Sequence, residues 1–105
     1  MKTQNKIYIS GKVSGTDDYI QRFAECEKKL SADFEVFNPV RFCQNRFFHP
    51  GNQSWYVLME FVLNELWFGN FTHIFMMKDW ENSSGVIIEH EYAKKLNLKV
   101  IYEVK

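Results

Sequence analysis

The sequence predicts an α/β fold: a single-domain, three-layer sandwich around a short parallel sheet of four to five strands in the order 2-1-3-4. Three observations carry this. Strand-like and helix-like patterns alternate along the whole chain, which builds right-handed βαβ units with helices on both faces of the sheet. The run from Thr72 to Met77 (Thr-His-Ile-Phe-Met-Met) is apolar without alternation, as expected of a strand covered on both faces. The chain has 105 residues, enough for one real core and too few for two.

Each element has its own signature. Lys6-Ile-Tyr-Ile-Ser10 is a β-branched and aromatic run closed by Gly11, and reads as the first strand. Gly11 to Gly15 is a glycine-bounded loop, either a tight turn or a close backbone approach to a ligand. Thr16-Asp-Asp offers capping residues for a helix from Tyr19 to about Leu30. Ile20, Phe23, Ala24, Glu27 and Leu30 keep its period, with Tyr19 and Phe23 inward. Phe34 to Phe37 is a second short strand, ended by Asn38-Pro39. Val40 to Ser54 is irregular, with Pro50-Gly51 and three phenylalanines. It is either a functional lid or a surface connection held down by its own aromatics. Trp55 to Phe68 is a second helix, with Val57, Leu58, Phe61, Val62 and Leu66 at helical spacing, and Gly69-Asn70 ends it. The strand at 72–77, a helix from about Ser84 to Leu96 and a last strand, Lys99 to Tyr102, complete the order. Val86, Ile87, Ala93 and Leu96 are expected to pack inward in the helix from about Ser84.

Composition narrows the function. Thirteen Lys+Arg balance thirteen Asp+Glu, which argues against general binding to nucleic acid polymers or to anionic membranes. Cys26 and Cys43 form no disulfide framework, and His49 near Cys43 is too little for a metal, so neither metal nor cofactor is expected. No apolar run has membrane-spanning length and the first residues lack a signal-peptide core, which points to the cytoplasm. Aromatic residues reach 17%, ten of them Phe, more than one small core needs. A subunit interface or an aromatic-walled pocket would use them.

The stretch from Trp80 to Ala93 draws the rest together. Asn82-Ser-Ser-Gly85 follows the third strand and opens a helix, so unpaired N–H groups and the helix dipole favour an anion there. The same residues also make an ordinary N-cap. Glu89 falls one turn beyond Gly85, close to such an anion without being its ligand. In a Rossmann-like sheet, ligands bind at the carboxyl ends of the strands where strand order reverses. The loops at 11–15, 40–54 and 79–85 all leave carboxyl ends, so one crevice for a small molecule is expected among them.

These residues carry a family resemblance. Lys6-Ile-Tyr-Ile-Ser-Gly11, Asn38-Pro39, Trp55, Asn64-Glu-Leu66, and Trp80 with Ser83-Ser-Gly-Val-Ile-Ile-Glu89 span nearly the whole chain. In order and spacing they resemble small bacterial and phage domains of unassigned function. Those domains are grouped with the nucleoside 2-deoxyribosyltransferase-like superfamily, which includes the deoxynucleoside monophosphate N-glycosidases. The resemblance implies that Glu89 is a catalytic nucleophile on the anomeric carbon, forming a covalent glycosyl intermediate. It implies that Tyr8 hydrogen-bonds near it, and that Glu65 stands where the family usually carries an aspartate assisting the leaving base. Ser83 matches a serine that binds a 5′-phosphate where nucleoside-specific enzymes carry aspartate. Ser84, Gly85, Gly11, Lys12, Gly15 and Asn38 complete the expected substrate-binding set. His73, Lys12 and Asp79 depart from the family pattern: His73 fits a partly buried structural histidine, and Lys12 either adds charge for a phosphate or is a solvated loop residue. The chain is shorter than the family's enzymes by a last strand and helix. In those enzymes a neighbouring subunit completes the pocket, so a homodimer is implied.

Three functions follow as expectations. One is cleavage of, or transfer at, the N-glycosidic bond of a 2-deoxynucleoside 5′-monophosphate. Another is a non-catalytic nucleotide sensor or sequestering protein using the same crevice. The third is an interaction module whose exposed aromatics bind a protein.

Overall fold

A computed structural model describes residues 5–12, 18–40 and 55–104, the side chains of 55–61 excepted. The loop glycine Gly15 and the irregular segment from residue 41 to Ser54 lie outside the described residues.

Lys6–Ser10 forms β1, the central strand. It pairs in parallel with β2 (Glu35–Phe37) on one side and with β3 (His73–Met76) on the other. β4 (Lys99–Tyr102) pairs in parallel with β3, giving the order β2-β1-β3-β4 that the sequence predicts. Tyr8 stands opposite Phe37 and Ile74, and Ser10 opposite Met76. Where β1 meets β3, the Thr72 hydroxyl accepts from the Lys6 N–H at 3.0 Å and the Thr72 N–H donates to the Lys6 carbonyl at 2.9 Å, pinning the register. Lys6 Nζ reaches back to the Gly69 carbonyl at 2.8 Å, passing 4.7 Å from the centre of the Phe71 ring.

Side chains alternate along a strand, so β1 feeds two cores. Ile7 and Ile9 join Phe23, Cys26 and Leu30 of α1 (Tyr19–Leu30), together with Phe75 and Met77. Tyr8 joins Val62 and Leu66 of α2 (Trp55–Phe68), Val86 and Ala93 of α3 (Ser84–Lys95), and Ile74 and Met76. Among the described residues α1 therefore covers one face and α2 and α3 the other, as right-handed crossovers require when the chain runs from β1 out to β2 and back past β1 to β3 and β4. This is the three-layer sandwich.

α1 turns Tyr19 and Phe23 inward as expected, and α3 departs from its expected face at Ile87. On α1 the inward stripe is Phe23, Cys26 and Leu30 with Tyr19 half-buried, while Ile20 and Ala24 are exposed. On α3 Gly85, Val86, Glu89, His90 and Ala93 are buried and Ile87 is 41% exposed. A helix turns about 100° per residue, so Ile87 falls off a stripe centred on Val86, Glu89, His90 and Ala93. Apolar character alone favours Ile87 over Glu89 as the inward residue; the structure places Glu89 inward.

The ends of the helices use left-handed asparagines. Asn70 has φ 58° just after α2, and Gly69 before it is required for room, since a Cβ there would overlap the Phe71 ring and the Glu65 carbonyl. After α3, Asn97 has φ 63°. Its N–H donates to the Lys94 carbonyl at 3.1 Å, and the Leu98 N–H donates to the Ala93 carbonyl at 3.0 Å, a Schellman ending. Among the described residues, no helix is long and apolar enough to cross a membrane.

Candidate functional site

The site begins with the two-residue period of β1. Tyr8 and Ser10 face α3, each 1% exposed, and Ser10 is the last residue of the strand at its carboxyl end. Gly11 follows. A Cβ on Gly11 would overlap the Met77 sulfur, so the glycine lets the chain leaving β1 lie against the end of β3.

From the other side α3 presents Glu89, 8% exposed. The Ser10 hydroxyl donates to Glu89 Oε1 at 2.6 Å, the short distance of a charge-assisted bond, and the Tyr8 hydroxyl also hydrogen-bonds the carboxylate. Burial pushes the Glu89 carboxyl up from 4.5 to about 7, while the bonds from Ser10 and Tyr8 pull it down. Among the described residues no cation pairs with it. A buried carboxyl raised toward neutrality, facing the carboxyl end of the central strand and holding two hydroxyl donors, has the kind of environment in which perturbed carboxyls occur at functional sites.

The Tyr8 ring is itself fixed. It stacks on Phe37 at 5.5 Å and meets the edge of Phe71 at 5.6 Å. These rings come from β2 and from Phe71, two residues before β3, so both sides of β1 hold the phenol against Glu89.

The approach to α3 runs through Asp79, which has φ 69°, and a 3₁₀ turn at Trp80–Asn82. Ser83 then caps α3, its Oγ accepting from the Val86 N–H at 3.4 Å. Ser84 is exposed and Gly85 buried in the first turn. Glu89 stands five positions beyond Ser84, so its backbone lies about 7.5 Å along the axis from the start of the helix.

The remaining expected site residues lie outside α3, and none of those described hydrogen-bonds Glu89. Glu65 is half-buried on α2, and among the described residues its carboxylate makes no hydrogen bond or ion pair. Asn38 is spent on structure: its Oδ1 accepts from the Val40 N–H at 3.0 Å, capping a helical turn that starts at Pro39, and its Nδ2 donates to Glu27 Oε1 at 3.1 Å. Lys12 is half-buried after Gly11. His73 behaves as a structural histidine, edge-on to Phe34 at 4.9 Å and 2.7 Å from the Thr72 hydroxyl. Burial first, and then the Lys99 charge, lower its pKa.

A family described as a domain of unknown function, DUF4406, matches residues 5–102. The chain belongs to the DUF4406 family. The match runs from the residue before β1 to the end of β4, so Tyr8, Ser10, Ser83 and Glu89 all fall within this DUF4406 domain. No curated protein matches the chain.

Two features of the DUF4406 site are not picked out by sequence reasoning. One is Ser10, legible only by applying the strand period to Tyr8: two residues on, same face. The other is His90, beside Glu89 on α3. Its ring lies 4.4 Å from Trp80 and its Nε2 is 2.8 Å from the Tyr102 hydroxyl, which ties the end of β4 to the middle of α3 and to the turn before it. Burial lowers the His90 pKa, Lys94 lowers it further, and Glu91 opposes them.

Proposed function

We propose that this protein cleaves, or transfers deoxyribose at, the N-glycosidic bond of a 2-deoxynucleoside 5′-monophosphate, with Glu89 as the nucleophile. The observation that carries this reading is the buried Glu89 carboxylate, held by Ser10 and Tyr8 at the carboxyl end of β1. The resemblance of Tyr8, Ser83 and Glu89 to the deoxyribosyltransferase-like superfamily supports it.

A carboxylate oxygen of Glu89 forms a bond to the anomeric carbon while the carbon–nitrogen bond breaks, its electron pair leaving with the base. The departing nitrogen takes a proton, with Glu65 the expected donor by resemblance. Water, or a second base, then attacks the same carbon, releasing Glu89 as carboxylate. In the first case one water is consumed and one base and one deoxyribose 5-phosphate are formed. Ser83, Ser84 and Gly85 at the start of α3 offer N–H groups and a favourable dipole to the 5′-phosphate. The axial separation from Glu89 leaves room for the sugar ring. A serine rather than an acid at position 83 favours nucleotides over nucleosides. The protein acts as a cytoplasmic homodimer in this reading.

The test is to incubate purified protein with each deoxynucleoside 5′-monophosphate and its nucleoside, following free base by chromatography. The wild type releases base, faster from the nucleotide, and Glu89→Ala loses release while still binding nucleotide. Release by Glu89→Ala at the wild-type rate overturns the mechanism. Thermal stabilisation by a nucleotide without any release replaces it with a sensor.

A further inference from the structure

We propose that Ser10 is the positioning residue of Glu89, orienting its carboxylate toward the anomeric carbon and serving as the hydrogen-bond donor that lets it leave in the second half of the reaction. The inference rests on the N-glycosidase reading for its catalytic part, and on geometry alone for its positioning part. Ser10 ends the central strand, is 1% exposed, and gives its hydroxyl to Oε1 at 2.6 Å. The side chain of Ser10 has one rotatable bond before its oxygen, and its backbone is held by β3, opposite Met76 and with its carbonyl accepting from the Met77 N–H at 2.9 Å, so the donor has little freedom to move.

The chemistry needs such a donor. When the carboxylate closes on the anomeric carbon it becomes a neutral ester, and its negative charge is discharged. When water attacks, the carbon–oxygen bond breaks and its electron pair returns to Glu89. A fixed hydroxyl at the carboxylate stabilises that returning charge, as preorganised donors do wherever charge develops in an enclosed site. The proton stays on Ser10 throughout. Tyr8 comes from the same strand, but its ring is held by Phe37 and Phe71. Ser10 is the smaller and more direct handle. Facing Glu89 from β1 are only these two hydroxyls. His90 on the same helix turns to Trp80 and Tyr102, and among the described residues no charged side chain of α2 or β3 pairs with Glu89.

The experiment compares Ser10→Ala and Ser10→Thr with wild type in two readouts. The first is the titration of Glu89, followed by carbon-13 NMR of the labelled carboxyl in protein alone. Losing a bond to the charged form moves the Ser10→Ala midpoint upward by roughly one to two pH units, and Ser10→Thr restores it. The second is turnover of a deoxynucleoside monophosphate with rapid quench and intact-protein mass spectrometry. Ser10→Ala slows turnover at pH 7 roughly tenfold or more, moves the low-pH limb of the rate profile upward, and accumulates glycosyl-enzyme; a threonine hydroxyl reverses all three. An unchanged midpoint in Ser10→Ala overturns the positioning role, whether or not any nucleotide is turned over. A wild type that turns over no nucleotide removes the catalytic part together with the N-glycosidase reading, while the titration still decides the positioning part. If Ser10→Thr is too crowded to fold, Ser10→Cys takes its place as a weaker donor with an intermediate midpoint.

Discussion

Glu89 is the residue at which function and stability pull in opposite directions. Its carboxyl sits at about 7 in the folded chain and at 4.5 in the ordinary state, so between those pH values the folded protein holds a proton that the unfolded chain releases. The stability contributed by protonated Glu89 is therefore complete below about 4.5, declines as pH rises, and is gone above 7. The gap corresponds to roughly 3 kcal/mol at pH 8. Glu89→Gln keeps an acceptor for Ser10 and never ionises. It should be more stable than wild type by up to about that amount at pH 8, on the order of 10 °C in Tm, with the advantage vanishing by pH 5. Thermal melts of the pair across this range check it; equal melting at pH 8 would show that the buried charge is not the strained element. His73 and His90 run the other way, since their lowered pKa values make stability fall on acidification in both proteins alike. At this scale Glu89 and Tyr8 are legible through resemblance and spacing, Ser10 only through the strand period. A hydroxyl at the end of a strand reads as a strand terminator until its partner, 79 residues away in sequence, is seen beside it.

At the scale of elements, β1, α2 and β4 are legible to the residue and α1 in its extent, because their signals are local: a β-branched run, a helical period, a glycine-asparagine stop. What is not local is helix rotation. Of the residues expected to pack inward on α3, Val86 and Ala93 are buried but Ile87 is exposed, because Glu89 turns toward Ser10 and Tyr8 and His90 toward Tyr102. The turn into α3 carries a second signature of constraint. Asp79 holds φ 69°, which a glycine adopts freely and an aspartate does not, and its side chain makes no capping bond to offset this. Asp79→Gly should therefore stabilise the protein by about 1 kcal/mol, a few degrees in Tm, while Asp79→Val lowers it. A glycine variant that melts below wild type would mean that the aspartate side chain contributes something beyond the turn.

At the scale of the whole molecule, the parallel order β2-β1-β3-β4 follows from alternation and handedness, and it determines which faces remain uncovered. α2 and α3 share one face of the sheet, and both leave large apolar side chains exposed. Trp67 is 56% exposed and Phe68 73% at the end of α2, while Ile87 and Ile88 are about two-fifths exposed on α3. The rings of Trp67 and Tyr92 meet at 6.3 Å, joining the two helices into one surface, and Ile88 lies one turn before Tyr92. Contiguous apolar surface of this kind marks an interface more often than a solvated face. In the homodimer proposed above, the α2–α3 seam is the contact. Wild type should then sediment at twice the chain mass, and Trp67→Glu combined with Ile88→Glu at the chain mass with unchanged circular dichroism, since neither side chain belongs to a core. If the partner also completes the pocket, base release per chain falls as the wild type is diluted through its dissociation range, and the charged double variant stays low at every concentration. A wild type that sediments as a single chain at high concentration removes the dimer and leaves the apolar seam to another partner; a dimer whose activity per chain is independent of dilution places the whole pocket within one copy.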